Sequence, residues 1–134
     1  MNLGNSTVIR VPTKLNYTFF RYWVEFLAPI HKLSRRDADV FASLLFERYK
    51  LSKVISDSRI VGNMLLSSEV RKSVCDYQQM TGAHLNTCLG TLRKNRVLVE
   101  NDINPKFIPI FSSGEGDYKL IINFNIDESK PSRL

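Results

Sequence analysis

The run from Ser68 to Val99, SEVRKSVCDYQQMTGAHLNTCLGTLRKNRVLV, constrains the chain more than any other stretch. Leu85, Leu89 and Leu92 recur at i, i+4 and i+7, which puts three branched apolar side chains on one side of a helix. Val70, Val74 and Tyr77 keep the same spacing in a helix just before it, so each stripe needs the other. Between the two, Met80-Thr81-Gly82 reads as a tight turn. Thr81 is placed to accept from the first amides of the second helix, and Met80 to pack on Leu85. Val97, Leu98 and Val99 follow at once as the start of a β-strand. The polar side of the second helix, with His84, Asn86, Thr87, Thr91 and Lys94, is then turned outward.

The remaining elements can be read in chain order. Residues 1–15 form a polar arm in which Thr7 to Val11 is a candidate strand before Pro12. Tyr17 to Leu27, YTFFRYWVEFL, packs six of the chain's fourteen aromatic residues into ten positions. Asn16 can cap this helix and Pro29 ends it. Phe19, Trp23 and Phe26/Leu27 make one stripe, and Phe20 and Val24 widen it beyond what a single-sided surface helix needs. Two readings follow: central burial, or docking on another chain through Phe19, Phe20, Tyr22, Trp23 and Phe26.

Ser34 with Asp37 opens the next helix, whose stripe of Ala38, Phe41, Leu44 and Leu45 runs to about Lys50. Arg35 and Arg36 fall on its exposed first turn, where the helix dipole disfavours cations. Leu51 to Asn63 reads as a connecting loop and Met64 to Leu66 as a short strand. After the helix pair come a strand at Val97 to Glu100, a turn at Asn101-Asp102, and an extended stretch from Lys106 to Phe111 interrupted by Pro109. A loop over Ser112 to Asp117 leads to Tyr118 to Ile126, which alternates as a half-buried strand does. The domain boundaries are 1–32 for the arm and aromatic helix, 33–126 for the main domain and 127–134 for a polar tail.

From Leu33 to Phe124 this order of elements resembles the winged helix-turn-helix family, in which two helices joined by a tight turn precede a β-hairpin. The resemblance implies an α+β fold, mainly helical: a winged helix-turn-helix with a C-terminal β-hairpin wing and an extra N-terminal aromatic helix. Asn95-Arg96 stands where such chains often place a glycine, and Asn tolerates the left-handed cap needed there. LSRRDADVFASLLFERY, then VRKSVCDYQQMTGAHLNTCLGTLRKNRVLV and INPKFIPIF, resemble the small helix-turn-helix proteins of tailed bacteriophages, crAss-like phages included. That likeness implies a DNA-binding factor or a component of the phage particle.

Composition narrows the chemistry. The 134 residues suffice for one domain with its own core, and the net charge of +6 suits an anionic partner. Residues 1–98 hold 15 Lys/Arg against 7 Asp/Glu, or +8, and residues 99–134 hold 4 against 6, or −2. The helices therefore carry the basic charge. Cys75 and Cys88 form no C-x-x-C pair and read as buried free thiols of a reducing compartment. His84 and Cys88 are an i, i+4 pair, but with Cys75 they fall short of the four closely spaced ligands of a zinc site, so no metal and no cofactor is expected. His31 and His84 are the only groups of the general-base type near neutral pH, and neither sits in a nucleophile arrangement. No apolar run is long enough for a membrane span, and no secretory signal opens the sequence.

The expectation is a non-enzymatic winged-helix interaction module, a structural subunit of a tailed-phage particle or similar nucleoprotein assembly. Its partners would be other protein subunits in an oligomer, in the virion or the host cytoplasm. The alternative is sequence-specific binding of double-stranded DNA by helix 83–94 in the major groove, as a transcriptional regulator or replication factor. Asn86 would then address adenine, Thr87 and Thr91 bases or phosphates, and Arg93 and Lys94 the backbone, with His84 beside them. Arg71, Lys72, Arg35 and Arg36 would add charge from the flanking helices. Glu115 and Asp117, at the expected wing tip, count against this alternative because phosphates call for cations there.

Overall fold

The computed structural model describes residues 9–110. Over these residues the chain is α+β, with six helices and one two-stranded antiparallel sheet. The helices are α1 (Tyr17–Phe26), α2 (Ala28–His31), α3 (Arg35–Val54), α4 (Ser58–Met64), α5 (Ser68–Gln78) and α6 (Gly82–Lys94). Strands β1 (Leu98–Val99) and β2 (Asp102–Ile103) follow, and then a 3-10 turn at Pro105–Phe107. The expected loop at 112–117, the strand at 118–126 and the tail lie outside the described residues. Ile9 to Val11, the described part of the expected N-terminal strand, is exposed and forms none.

The long helix α3 is the axis of the core, with α1, α4, α5 and α6 packed against it. Its stripe is apolar on more than one side: Ala38, Val40, Phe41, Ala42, Leu44 and Leu45 are all buried. Phe41 has no exposed surface and meets the rings of His31 and Phe107 edge-on, at centroid distances of 5.9 and 5.6 Å. Ser34 accepts from the amide of Asp37, as expected of its cap, and its hydroxyl also donates to the Asp37 carboxylate at 2.8 Å.

The α5–α6 pair follows the leucine spacing. Val70, Val74, Leu85, Leu89 and Leu92 are all buried, and Thr81 caps α6 by accepting from the amide of His84. Tyr77 departs from the expected stripe: it is 61% exposed, its ring resting on Tyr17 at 4.7 Å. At the end of α6 the left-handed residue is Arg96 (φ 63), whereas Asn95 keeps φ −89. The amide of Val97 returns to the carbonyl of Leu92 and that of Arg96 to Arg93, the paired closure of a Schellman cap. Asn95 is held instead by its side chain, which donates to the carbonyl of His31 at 3.1 Å.

Three other expectations are corrected. The expected loop at 51–63 is instead the last turn of α3 and the helix α4, which Asp57 caps by accepting from Arg59. The strand expected at Met64 to Leu66 is the end of α4 and a turn, with Leu65 buried in the core. The hairpin turn is Glu100-Asn101, with φ of 60 and 86, so Asp102 belongs to β2 opposite Val99. Two positive φ values are what a two-residue hairpin of this twist requires. Beyond it Lys106 and Phe107 sit in the 3-10 turn, and the extended backbone resumes at Ile108.

Asp102 ties the hairpin to two of the helices, α3 and α4. Arg48 of α3 makes a forked pair with Asp102, Nε to Oδ1 at 3.0 Å and Nη2 to Oδ2 at 3.2 Å. Asp102 also closes on α4, where a Cβ placed on Gly62 would lie 2.9 Å from the Asp102 Cγ. A side chain at that crossing would therefore push the Asp102 carboxylate out of its pair with Arg48. In Gly62→Ala the crowding of a fixed side chain should outweigh the roughly 1 kcal/mol gained in helix propensity, for a net loss of about 1–2 kcal/mol in urea unfolding. In an Asp102→Ala background the same change should turn neutral or stabilising, which separates the clash from any other effect.

Candidate functional site

The helix pair sets out the residues expected to contact a partner. On α6, His84, Asn86, Thr87, Arg93 and Lys94 are exposed and Thr91 is half-buried. Their immediate neighbours on the outer side are small: Gly82, Ala83 and Gly90 are exposed as well. Among the described residues a Cβ on Gly90 would meet nothing within 4 Å, so none of them demands glycine there. Both threonine hydroxyls are turned back on the helix, Thr87 toward the carbonyl of Ala83 at 3.2 Å and Thr91 toward that of Thr87 at 3.3 Å. They therefore present a methyl group and oxygen lone pairs outward rather than an O–H donor.

The surrounding cations divide into committed and open ones. Arg36, expected on an exposed first turn, is half-buried: it donates to the side chain of Gln78 at 3.2 Å and to the Gln78 carbonyl, and stands 3.8 Å from Asp39. It closes the carbonyl end of α5 and is not free for a phosphate. Arg71 is also half-buried, with Nε donating to the carbonyl of Leu66 at 3.0 Å and Nη1 to Asn86 Oδ1 at 2.7 Å. Lys72 faces Asp76 across 3.8 Å of open surface. Arg93 reaches the side chain of Asn101 at 3.4 Å. Arg35, Lys94 and Arg96 are exposed. Among the described residues Arg35, Arg71, Arg93, Lys94 and Arg96 form no ion pair with a carboxylate.

On the aromatic helix, the interface expectation is corrected by burial. Phe20 and Trp23 belong to the chain's own core, at 1% and 7% exposure, and Trp23 donates its indole N–H to the carbonyl of Phe107 at 2.7 Å. Phe19 is half-buried, edge-on to Phe20. Only Tyr22 and Phe26 of the five are exposed, followed four residues later by exposed Ile30. The width of the stripe reflects contacts on more than one side: α1 packs on α3, Trp23 reaches the 3-10 turn and Tyr17 meets Tyr77 of α5.

Among the described residues neither histidine is joined to a nucleophile or a carboxylate. His31 is buried; its Nδ1 accepts from the amide of Leu33 at 3.0 Å, so its Nε2 donates to the carbonyl of Val24 at 2.8 Å. His84 is exposed while Cys88, one turn on, faces the core at 2% exposure. Among the described residues no group of three His, Cys, Asp or Glu could hold a metal ion, and no helix is long and apolar enough to cross a membrane. Burial, helped by the carboxylate of Asp37, pushes the Cys88 thiol up to about 11. At pH 8 a disulfide reagent should therefore modify only the half-buried Cys75 of the native chain, and Cys88 only on unfolding, as absorbance of the released thiolate would count.

Two elements of the site escaped the sequence reading. Gln78 joins α5 to α1 and α3 through both ends of its side chain, and nothing local marks it. The Arg71–Asn86 bond was accessible in principle. Each residue stands one position after a core residue, Val70 or Leu85, so pressing the two stripes together brings them side by side. No family model, curated protein or solved structure matches the chain.

Proposed function

We propose that the chain is a non-enzymatic interaction module of the winged helix-turn-helix kind, and that α6 is its contact element, laid against double-stranded DNA. The observation that carries this reading is the shape and charge of α6. Its outer face is kept low by Gly82, Ala83 and Gly90, while Arg71, Arg93, Lys94 and Arg96, none paired with a carboxylate among the described residues, lie on it or beside it. A glycine in mid-helix costs about 1 kcal/mol relative to alanine. At Gly90 no described residue accounts for that cost, and the missing side chain allows a surface to approach the helix backbone.

A second reading, a structural subunit of a phage-type nucleoprotein assembly, is favoured by the exposed row of Tyr22, Phe26 and Ile30. The two are compatible, since a subunit that meets its neighbours through α1 and α2 leaves α6 free for nucleic acid. Mobility shift on mixed duplex fragments over a salt series tests the DNA reading. Binding should weaken steeply as salt rises, and Lys94→Ala should reduce the slope of log affinity against log salt by about one, the signature of one lost phosphate contact. Absence of a shift at about 50 mM salt, where backbone contacts are strong, would exclude DNA as the partner of this face.

A further inference from the structure

Arginine has five N–H donors and no acceptor. The Asn86 atom 2.7 Å from Arg71 Nη1 is therefore the carboxamide oxygen, on chemical grounds. The guanidinium is itself anchored: its Nε is bonded to the carbonyl of Leu66, just ahead of α5, and the group is a planar fork. With one prong fixed to backbone, the other can hold Oδ1 of Asn86 in a single orientation. Among the described residues no group accepts from the amino group of Asn86, and the residue is exposed.

Its surroundings make that group prominent. Three and four residues before Asn86 on the helix stand Ala83 and Gly82, and four residues after it stands Gly90. The neighbouring hydroxyl of Thr87 spends its hydrogen on Ala83. In the N-terminal half of α6, where a helix of this arrangement reaches base edges, Asn86 thus supplies an N–H pair above a floor of small residues.

We propose that Arg71 is a positioning residue that fixes the Asn86 amide with its amino group outward, so that α6 reads guanine at that position. The inference rests on the DNA reading above. The usual pairing of Asn with adenine needs Oδ1 to accept from N6 while the amino group donates to N7. Arg71 occupies one of the two lone pairs of Oδ1 and sets a cation beside the other, so the amino group and the guanidinium together favour an edge made of acceptors, which guanine offers as O6 and N7. Adenine sets its own amino group against them. This replaces the adenine contact expected from the residue type alone.

Selection from a random duplex pool by the full chain, with sequencing of the retained fragments, tests the assignment. The wild-type chain should enrich guanine over adenine at one position by about tenfold, in the range of a well-formed base contact. Replacing that guanine with 7-deazaguanine should remove the gain. Arg71→Met, which frees the amide to turn, should abolish the guanine preference or move it to adenine, and Arg71→Lys should restore part of it. Asn86→Asp, close in shape but without the N–H pair, should lose guanine as well. A purely structural role for Arg71 would lower stability without changing base choice. Adenine enrichment by the wild-type chain, or a guanine preference that survives Arg71→Met, overturns the proposal. Failure to retain any duplex at low salt instead overturns the DNA reading beneath it, so the two failures can be told apart.

Discussion

Trp23→Ala is expected to destabilise the isolated chain by about 3–5 kcal/mol. The residue is 7% exposed, and its indole N–H donates to the carbonyl of Phe107 at 2.7 Å, joining α1 to the turn that follows the hairpin. Truncation removes the ring's packing, leaves a cavity, and strips a buried carbonyl of its donor. Trp23→Phe should fall between, at about 1–2 kcal/mol, because it keeps an aromatic body but not the N–H. Tyr22→Ala and Phe26→Ala, both on exposed positions, should stay within about 0.5 kcal/mol. Equilibrium urea unfolding of the four variants measures all of this. A small loss for Trp23→Ala in the free chain would mean that α1 is not part of the fold's own core, and would return the aromatic cluster to the role of a docking surface.

That contrast marks where sequence reasoning succeeds and where it stops. Leu85, Leu89 and Leu92 were legible because a 3.6-residue period leaves few alternatives once Thr81 fixes the start of the helix. The same logic placed Ser34 and the stripe behind it. In α1, by contrast, apolar residues occupy too much of the circumference for periodicity to say which are covered; that depends on the 3-10 turn more than eighty residues later.

Helix α4 was missed for a different reason. Seven residues with a glycine near the end are too short to be helical on propensity, and the Asp57 cap and tertiary contacts stabilise them. Gly62 falls within the stretch expected to be a loop, but its lack of a side chain serves the close approach of Asp102. At the end of α6, Arg96 takes the left-handed position because Val97 must drop into the core beside Leu92. Packing there overrides the residue preference that pointed to Asn95. The candidate site shows the same division: its exposed side chains could be listed from the helical wheel, but not which cations were already engaged.

Gln78→Ala should cost about 2–3 kcal/mol, a large effect for a polar residue near the end of a helix. Its side-chain nitrogen lies 2.7 Å from Ser43 Oγ, 3.1 Å from the Tyr17 hydroxyl and 3.1 Å from the carbonyl of Asp39. Its oxygen accepts from Arg36, which also bonds the Gln78 carbonyl. Ser43 is 4% exposed, so the hydroxyl loses a partner that water cannot readily replace. The phenol of Tyr17 gives a second readout. Burial pushes it above the usual tyrosine range, and the hydrogen bond from Gln78 opposes part of that rise. In Gln78→Ala the phenol should titrate at still higher pH, visible in the ultraviolet absorbance of an alkaline titration. The sign for stability follows from the raised value. The contribution is complete below the unfolded tyrosine range, near pH 10, and is lost as pH climbs from there toward the folded value. The variant should therefore lose stability over a wider alkaline span than the parent chain. If Gln78→Ala instead unfolds within about 0.5 kcal/mol of the parent, the joint between α1, α3 and α5 is apolar, and the polar network only decorates it.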